Sequence, residues 1–325
     1  MGGHKRICDC CDTVVYTYHS CKDRHCPKCG SKDTEKWAGQ QELKLLDTHY
    51  FHVVLTIPHE LGEIVRQHQK IGYNILFDAA AYAMKKVMKK QLFGDELFGF
   101  MAVLHTWTRA LSYHPHVHLL VPGGAWNKGD KCWTPTPSSM FLIPEKALSS
   151  VFRAVFVKMM RRVLPENSIP QKVFAKDWVV KVLPALSHKK SVLSYLSRYV
   201  KKTAITNNRI LAGENGTVTF RYQDNKTRQW KTMTLPAIQF MSRFLQHVLP
   251  KGFTKIRHYG LLTPANREYL SLAQVVLSKE PCSEVRNGKK AESNREIVFI
   301  SCPHCKKGHL VILCELLKNE RGPPW

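Results

Sequence analysis

Residues 114–124 read HPHVHLLVPGG, in which two histidines flank a valine ahead of an apolar run. Such a stretch, closed by a pair of glycines, predicts a β-strand. Because successive side chains on a strand point to opposite faces, His116 and His118 share one face and Val117 lies on the other. Two imidazoles on one face can bind a divalent cation. A structural pair of histidines produces the same pattern, so the metal site is one of two interpretations of this strand.

A third ligand for such a cation has to come from another part of the chain. The first candidate is His105, in the sequence LHTWT at the end of the preceding predicted strand, residues 99–107. His188 and His114 are the next candidates, and a hydrogen-bonded core histidine would explain His105 equally well. We expect the cation to be Mg²⁺ or Mn²⁺, bound through oxygen and nitrogen ligands.

A second constellation, SVLSYLSRYVKK at residues 191–202, contains two tyrosines four residues apart. On a predicted helix, Tyr195 and Tyr199 lie on one face about one turn from each other. Tyrosines at this spacing are also common as packing residues. Beside a cation, a phenol can attack a phosphate and hold the cut strand end covalently, provided that its pKa near 10 is offset by a neighbouring cation or base. This helix also contains Arg198, Lys201 and Lys202. These basic residues either favour ionisation of the phenol or bind backbone phosphates.

The composition predicts a polyanionic partner. The chain has 325 residues, with 49 Lys and Arg against 25 Asp and Glu, for a net charge of +24. Such an excess is typical of proteins that bind nucleic acid; a basic solvated surface and a membrane-surface protein are the alternatives. Aromatic residues that could stack on unpaired bases are interleaved with the basic ones: Trp107, Trp126, Trp133 and Trp230.

The sequence contains no feature that directs the chain to a membrane. No apolar run approaches the roughly 20 residues that span a bilayer, and the start MGGHKRICDCC lacks the apolar core of a secretory signal. We therefore expect a cytoplasmic protein with no membrane partner. In that compartment the 11 cysteines are metal ligands or free thiols rather than disulfides.

The first 31 residues are rich in cysteine and predict a zinc module. Two Cys-x2-Cys pairs, each on a tight turn, supply four sulfur ligands: Cys8 with Cys11, and Cys26 with Cys29. Cys21 is a substitute for one of the four, and Cys10, His19 and His25 are further ligands in reach. Such a module stabilises folding rather than supplying catalysis. Its basic residues Arg24 and Lys28 suit contact with phosphates. The alternative is a zinc-stapled cap with no role in DNA binding.

The C-terminal segment carries another cysteine pair. Cys302-x2-Cys305 can form a metal-binding turn if further ligands complete it. The residues available in the same part of the chain are His304, His309, Cys314 and Cys282. A second zinc site and a turn with free thiols are both open interpretations.

The pattern of elements predicts the α+β class. Short β-branched runs predict strands and a hairpin, and amphipathic stretches predict helices between them. The predicted strands cover 51–58, 99–107, 116–124, 172–183 and 217–235, the last as a hairpin, and the predicted helices cover 33–47, 60–93, 141–164, 191–204, 237–250 and 264–278. We expect four domains or segments: a zinc module with its linking helix at 1–47, a core with the histidine and tyrosine constellations at 48–235, a helical extension at 236–280, and a linker and tail at 281–325.

Taken together, these segments resemble a known family. HPHVHLLVPGG, LHTWT, YLSRYV, AITNNRI and IRHYGLL, behind a cysteine-rich head ending RHCPKCG, are similar to the two-tyrosine HUH transposases of the insertion sequence 91 family. The resemblance implies an HUH nuclease core, with a central antiparallel sheet flanked by helices, behind a zinc-binding domain. It further implies that His116 and His118 are the HUH metal ligands, and that Tyr195 and Tyr199 are catalytic.

The resemblance also implies an activity. Such a protein nicks and rejoins single-stranded DNA at element ends and target, through a 5′-phosphotyrosine intermediate, in rolling-circle-like transposition. The freed 3′ hydroxyl can prime DNA synthesis by host replication proteins. The resemblance also implies that the protein is associated with the bacterial nucleoid. Two other functions stay open: a rolling-circle replication initiator or relaxase, and an inactive zinc-dependent DNA-binding regulator derived from a transposase. The oligomeric state is not indicated by the sequence.

Overall fold

The computed structural model describes residues 2–21, 23–26, 44–164, 169–186, 192, 204–224, 227–278 and 300–317. These residues fall into two compact units. The small unit comprises Met1–Cys29 and Cys282–Trp325, and the large unit comprises Gly30–Pro281. None of the described helices is long and apolar enough to cross a membrane.

The large unit is built on a five-stranded antiparallel sheet, which confirms the predicted α+β class. Its strand order is β12–β4–β5–β3–β8. The strands are β3 (Tyr50–Thr56), β4 (Gly99–Trp107), β5 (Tyr113–Pro122), β8 (Val180–Leu186) and β12 (Ile256–Gly260). The predicted strand 172–183 is a strand only in its second half, because Gln171–Phe174 form a 3-10 turn in which the Val173 carbonyl accepts a hydrogen bond from the Trp178 indole.

One face of this sheet packs against the main helices. Val117, Leu119 and Val121 of β5 are fully buried in a core that includes apolar residues of these helices. The helices are α1 (Gly62–Gln67), α2 (Gln69–Met88) and α3 (Glu145–Arg161). The predicted helix 60–93 is divided at His68, whose φ of −120° and ψ of 48° are not helical, and it closes with a π turn at Lys89–Phe93.

The opposite face of the sheet carries a second apolar cluster. Leu120 of β5 and Met101 of β4 pack there with Tyr50 and Trp126. Trp126 lies in the hairpin of β6 (Gly124–Asn127) and β7 (Cys132–Pro135), and Leu270 and Ala273 of α5 (Arg267–Leu277) complete the cover. Val192 is fully buried in this same cluster.

A three-stranded antiparallel sheet follows in the chain. The predicted hairpin at 217–235 forms its β10 and β11, and β9 pairs with the free side of β10. The strands are β9 (Ile210–Glu214), β10 (Thr217–Gln223) and β11 (Trp230–Pro236), and α4 (Ala237–Leu245) follows them. The predicted extension from residue 236 therefore continues within the large unit, with β12 added to the edge of the central sheet.

The small unit is a three-stranded antiparallel sheet in the order β13–β1–β2. Its strands are β1 (Gly3–Cys8), β2 (Val14–Tyr18) and β13 (Leu310–Leu316). Because β13 comes from the far end of the sequence, the predicted separation of an N-terminal module from a C-terminal tail differs from the structure, where both ends share one sheet.

Candidate metal centres

Three histidines meet on the second face of the central sheet. The antiparallel register of β4 and β5 places His105 directly opposite His116. His118 follows two residues later on the same face, and its ring centroid lies 4.4 Å from that of His105 and 4.9 Å from that of His116. One ring nitrogen from each of the three lies within 4.8 Å of the others. The structure thus brings the predicted pair together with the first predicted candidate for the third ligand.

Hydrogen bonds orient two of the three rings. The Nδ1–H of His116 donates to the carbonyl oxygen of His114 at 2.7 Å, which leaves its Nε2 lone pair for a ligand. The Nδ1 of His118 lies 2.7 Å from the Nε2 of His52 on β3. Such outer partners fix the tautomer and the aim of a metal-binding imidazole. His114 therefore orients a neighbour through its backbone.

His52 is a candidate functional residue that no sequence motif indicated. It is a histidine in a strand pattern, FHVVLTIP, that otherwise indicates only burial. Its role depends on β3 pairing with β5, which puts Val54 opposite His118 and brings His52 alongside on the same face. The signal available in the sequence was a polar residue in an apolar run.

Burial keeps His52, His116 and His118 uncharged at neutral pH. Desolvation lowers the pKa of His116 to about 4 and the pKa of His52 to about 4. Desolvation also lowers the pKa of His118, with smaller effects from His105, His116, His52 and Lys255. A neutral imidazole has the lone pair that a metal ligand needs. The three imidazoles of the cluster offer nitrogen ligands, which suit Mn²⁺ or another first-row cation better than Mg²⁺, since Mg²⁺ prefers oxygen ligands.

The predicted tyrosine helix, residues 191–204, lies outside the described residues except at Val192 and Ala204. The candidate residues outside the described part of the chain are Tyr195, Arg198, Tyr199, Lys201, Lys202 and, before the helix, His188. Val192 is fully buried, and it belongs to the apolar cluster on the histidine face that also contains Tyr50 and Leu120. Val192, three residues before Tyr195 in the sequence, therefore lies on the face of the sheet that carries the histidines.

Four cysteines meet in the small unit. Sγ of Cys8 lies 3.7 Å from Sγ of Cys305, and Sγ of Cys11 lies 3.7 Å from Sγ of Cys302. All four sulfur atoms lie within 4.8 Å of one another. Each pair sits on a tight turn followed by a residue with positive φ, Asp12 at 54° and Lys306 at 58°. This is the arrangement of a structural four-thiolate zinc site.

Backbone groups prepare these sulfurs for a cation. The amide N–H of Gly308 points to Sγ of Cys305 at 3.4 Å, and this contact lowers the pKa of that thiol to about 6. A side chain at Gly308 would place its Cβ 2.5 Å from the Oδ1 of Asp9 and 2.6 Å from Sγ of Cys8, so the approach of the second turn requires glycine. Burial raises the pKa of Cys8 to about 12; a bound cation would reverse this, because coordination deprotonates a thiol.

This cluster differs from the predicted four-cysteine set in its second pair. Cys8 and Cys11 are grouped with Cys302 and Cys305, which the sequence had suggested for a separate site. Cys26, Cys21 and the exposed Arg24 are described but are not members of the group, and Cys29, Lys28 and Cys282 lie outside the described residues. Two predicted half-sites therefore form one cluster.

Comparisons with known proteins identify the family. Residues 99–269 match a family model described as "Putative transposase", and residues 1–57 match one described as "Transposase zinc-binding domain". The chain belongs to this transposase family, of the insertion sequence 91 type. The first match includes all three clustered histidines. The second includes Cys8, Cys11, Cys26 and Cys29, and it does not extend to Cys302 and Cys305.

Two relatives support this membership. "Putative transposase y4qJ" of Sinorhizobium fredii is 34% identical over 352 aligned positions, which cover 100% of this chain and 87% of the relative. "Transposase for insertion sequence element IS801" of Pseudomonas savastanoi pv. phaseolicola is 28% identical over 270 positions, which cover 79% of this chain and 64% of the relative. No solved structure matches this transposase. As a transposase with a zinc-binding domain, the protein acts on DNA and carries structural zinc.

Proposed function

We propose that this transposase nicks and rejoins single-stranded DNA through a covalent 5′-phosphotyrosine intermediate formed at the histidine cluster. The observation that carries the proposal is the placement of His105, His116 and His118 on the face of the sheet where Val192 is buried. Val192 begins the segment with Tyr195 and Tyr199, so the nucleophile and the metal ligands would share one surface.

The chemistry follows from these groups. A phenol oxygen of Tyr195 or Tyr199 attacks the phosphorus atom in line, the bond from phosphorus to the 3′ oxygen breaks, and the strand end is held as a phosphotyrosine ester. The phenol proton passes to solvent, and the departing 3′ oxygen takes a proton from water. A bound Mn²⁺ or Mg²⁺ would polarise the phosphate and offset the charge of the transition state.

A second tyrosine has a use in this scheme. The freed 3′ hydroxyl can attack a phosphotyrosine at another end, which restores a phosphodiester bond and releases the phenol. With two phenols, one strand end can be held while another is cut. Between cleavage and rejoining, the free 3′ hydroxyl is also a primer for host replication proteins. This priming is the replicative step of the rolling-circle route.

We also infer that Cys8, Cys11, Cys302 and Cys305 hold the structural zinc. Their Sγ atoms are already grouped within 4.8 Å, and two backbone N–H groups point to sulfurs of the cluster. Zinc at this position would join β1 to the segment that leads into β13 and so connect both ends of the chain. It would contribute folding free energy rather than chemistry.

The activity is tested by cleavage of labelled single-stranded oligonucleotides that carry the ends of the element. The wild type would be compared with Tyr195→Phe, Tyr199→Phe, the double variant, and His116→Ala. Tyr82→Phe, which changes an exposed tyrosine of α2, is the matched control. We expect a cation-dependent covalent protein–DNA band that Tyr82→Phe retains and that the double variant and His116→Ala lose.

Two results would contradict the proposal. A band that persists in the double variant would exclude both tyrosines as nucleophiles. Tight DNA binding with no band for any substrate would favour the regulatory function instead. Zinc content is measured on the same samples, because His116→Ala should leave it unchanged; a parallel loss of zinc would show that the histidine cluster is not a separate site.

A further inference from the structure

Three arginines lie together beside the turn that joins the two histidine strands. Arg109 belongs to that turn, Arg209 precedes β9, and Arg221 lies on β10. The guanidinium of Arg209 donates one hydrogen bond to the carbonyl oxygen of Arg221 at 2.9 Å and another to the carbonyl oxygen of Arg109. The guanidinium of Arg109 donates to Oε1 of Gln223 at 2.6 Å. Two backbone carbonyls and the side-chain amide of Gln223 thus fix the positions of the Arg209 and Arg109 guanidinium groups.

The charges of this cluster are not balanced by the described part of the chain. None of the three guanidinium groups has a carboxylate within salt-bridge distance among the described residues. Asp224, the carboxylate next to β10, pairs with Lys231 at 2.9 Å. Burial, and then the charges of Arg109 and Arg221, lower the pKa of Arg209. Like charges held close in this way create a local potential that favours an anionic ligand.

An exposed indole lies at the edge of the same cluster. Trp230 pairs with Gln223 across β10 and β11, and the Arg221 guanidinium lies 5.2 Å from the centre of its ring. Even with this neighbour, 60% of Trp230 is exposed. An indole next to a guanidinium is the combination on which unpaired bases stack in single-strand-binding proteins.

The packing of the three-stranded sheet connects this surface to the histidines. Phe220 of β10 is fully buried with Leu111 at the β4–β5 turn, and Trp107 packs against the same small core. The Trp107 ring stacks on His105, with centroids 4.8 Å apart and planes 17° apart. Arg221 and Trp230 lie on the opposite face of this sheet from Phe220, because side chains alternate along a strand. Arg109 of the β4–β5 turn reaches that face through its hydrogen bond to Gln223, so a strand bound across Arg221 and Trp230 would lie next to the turn of the hairpin in which His105 and His116 pair.

We propose that Arg109, Arg209, Arg221 and Trp230 form a binding site for single-stranded DNA. The guanidinium groups contact backbone phosphates, and the indole stacks on one unpaired base. The proposal rests on the proposed function in one respect, because the bound strand is the substrate that the histidine cluster cuts. Duplex DNA keeps its base faces inside the stack and cannot use the indole in this way.

Binding can be measured without cleavage. A fluorescent oligo-dT would be titrated with the full chain, loaded with zinc but without Mg²⁺ or Mn²⁺, and followed by anisotropy at several salt concentrations. The variants are Trp230→Ala, Trp230→Phe and Arg221→Ala. Arg209 is left unchanged because it holds two backbone carbonyls.

The controls remove similar groups elsewhere on the large unit. Phe141→Ala removes an aromatic ring that is 57% exposed. Arg66→Ala removes an exposed guanidinium that already pairs with Glu63 at 2.6 Å. Both should bind oligo-dT as the wild type does.

The expected changes differ between variants. Trp230→Ala should weaken binding about tenfold, and Trp230→Phe should restore most of it, because a smaller ring still stacks. Arg221→Ala should weaken binding at low salt and reduce the slope of log K against log salt by about 0.7, which is the value for one phosphate contact on a single strand. A duplex of the same length should show the arginine effect but not the tryptophan effect.

The result that overturns this site is unchanged oligo-dT binding in Trp230→Ala and Arg221→Ala. An equal loss of duplex and single-strand binding in Trp230→Ala would also overturn the stacking role. Either result leaves the proposed function standing if the wild type still forms the tyrosine-dependent band. Conversely, His116→Ala should bind oligo-dT normally, so loss of cleavage alone does not remove the site.

Discussion

Nε2 of His52 lies 2.7 Å from Nδ1 of His118, and the two rings are nearly parallel, with planes 13° apart. For His118 to offer Nε2 to a cation, its Nδ1 must carry the proton and donate it to His52. His52 is therefore a positioning residue on β3 that fixes the tautomer and orientation of a ligand on β5. Its own burial favours the neutral, acceptor form, because desolvation lowers its pKa to about 4.

Replacing His52 with leucine should weaken the binding of the catalytic cation, and it should not abolish cleavage. Loss of an outer-shell partner typically costs about 10- to 100-fold in metal affinity. We expect His52→Leu to raise the Mn²⁺ concentration for half-maximal cleavage by that factor, and His52→Gln to recover part of it through its amide oxygen. His59→Leu, at an exposed position, is the control. An unchanged Mn²⁺ requirement in His52→Leu would mean that the residue only packs.

The zinc ligands can be assigned by cysteine variants. Cys302→Ser should release the zinc that Cys8 and Cys11 help to bind and expose the small unit to protease, since a structural site supplies folding free energy. Cys132→Ser, an exposed cysteine of the large unit, should change neither property. If Cys26→Ser loses this zinc while Cys302→Ser keeps it, the set read from the N-terminal sequence is the correct one.

The difference between the two centres shows what the sequence could determine. His116 and His118 are two residues apart, so the strand period alone predicts that they share a face. His105 could be proposed because β4 and β5 are consecutive strands of a hairpin. Cys8 and Cys305, by contrast, are 297 residues apart, and only the pairing of β1 with β13 brings them together.

Interruptions of regular elements were also beyond the sequence patterns. The apolar periodicity of residues 60–93 continues through His68, yet the backbone turns there and the helix restarts. The predicted strand at 172–183 begins as a 3-10 turn because Trp178 folds back to bond the Val173 carbonyl. The Trp178 ring also packs against Phe152 and Phe156 of α3, a tertiary contact that local propensity does not encode.

Gly260, at the end of β12, is expected to be intolerant of any side chain. Its φ is 58°, and a Cβ there would lie 1.9 Å from the carbonyl oxygen of Phe98, which is backbone and cannot rotate away. Gly252 has a φ of 73° with open space around it, and Gly213 also has open space, with no positive φ. The three glycines therefore separate the steric clash from the backbone conformation.

Alanine at these positions should follow that order. Gly213→Ala should be nearly neutral, and Gly252→Ala should cost about 1 kcal/mol for the left-handed backbone. Gly260→Ala should cost more than either, about 3 kcal/mol or above, because the edge strand has to shift. Urea unfolding of the three variants measures these costs. Equal stability of Gly252→Ala and Gly260→Ala would show that β12 moves away freely.

His247 should make the large unit sensitive to acid. Its Nε2–H donates to the Leu111 carbonyl at 3.2 Å, Nδ1 accepts from the Thr106 hydroxyl at 3.3 Å, and only 3% of the residue is exposed. Desolvation lowers its pKa to about 4. In the unfolded chain the pKa returns to about 6.5, so between these values the unfolded state binds the proton and the folded state does not.

Stability should therefore fall as the pH drops from about 6.5 to about 4, by up to about 3 kcal/mol for this one group, and then level off with respect to it. His52 and His116 add changes of the same sign when no cation is bound. The free energy of unfolding in urea, measured across this range, tests the prediction. His247→Gln loses a titrating group, so its stability should decline less steeply with falling pH even if it starts lower at pH 7. Parallel curves for His247→Gln and the wild type would mean that His247 takes up its proton without unfolding.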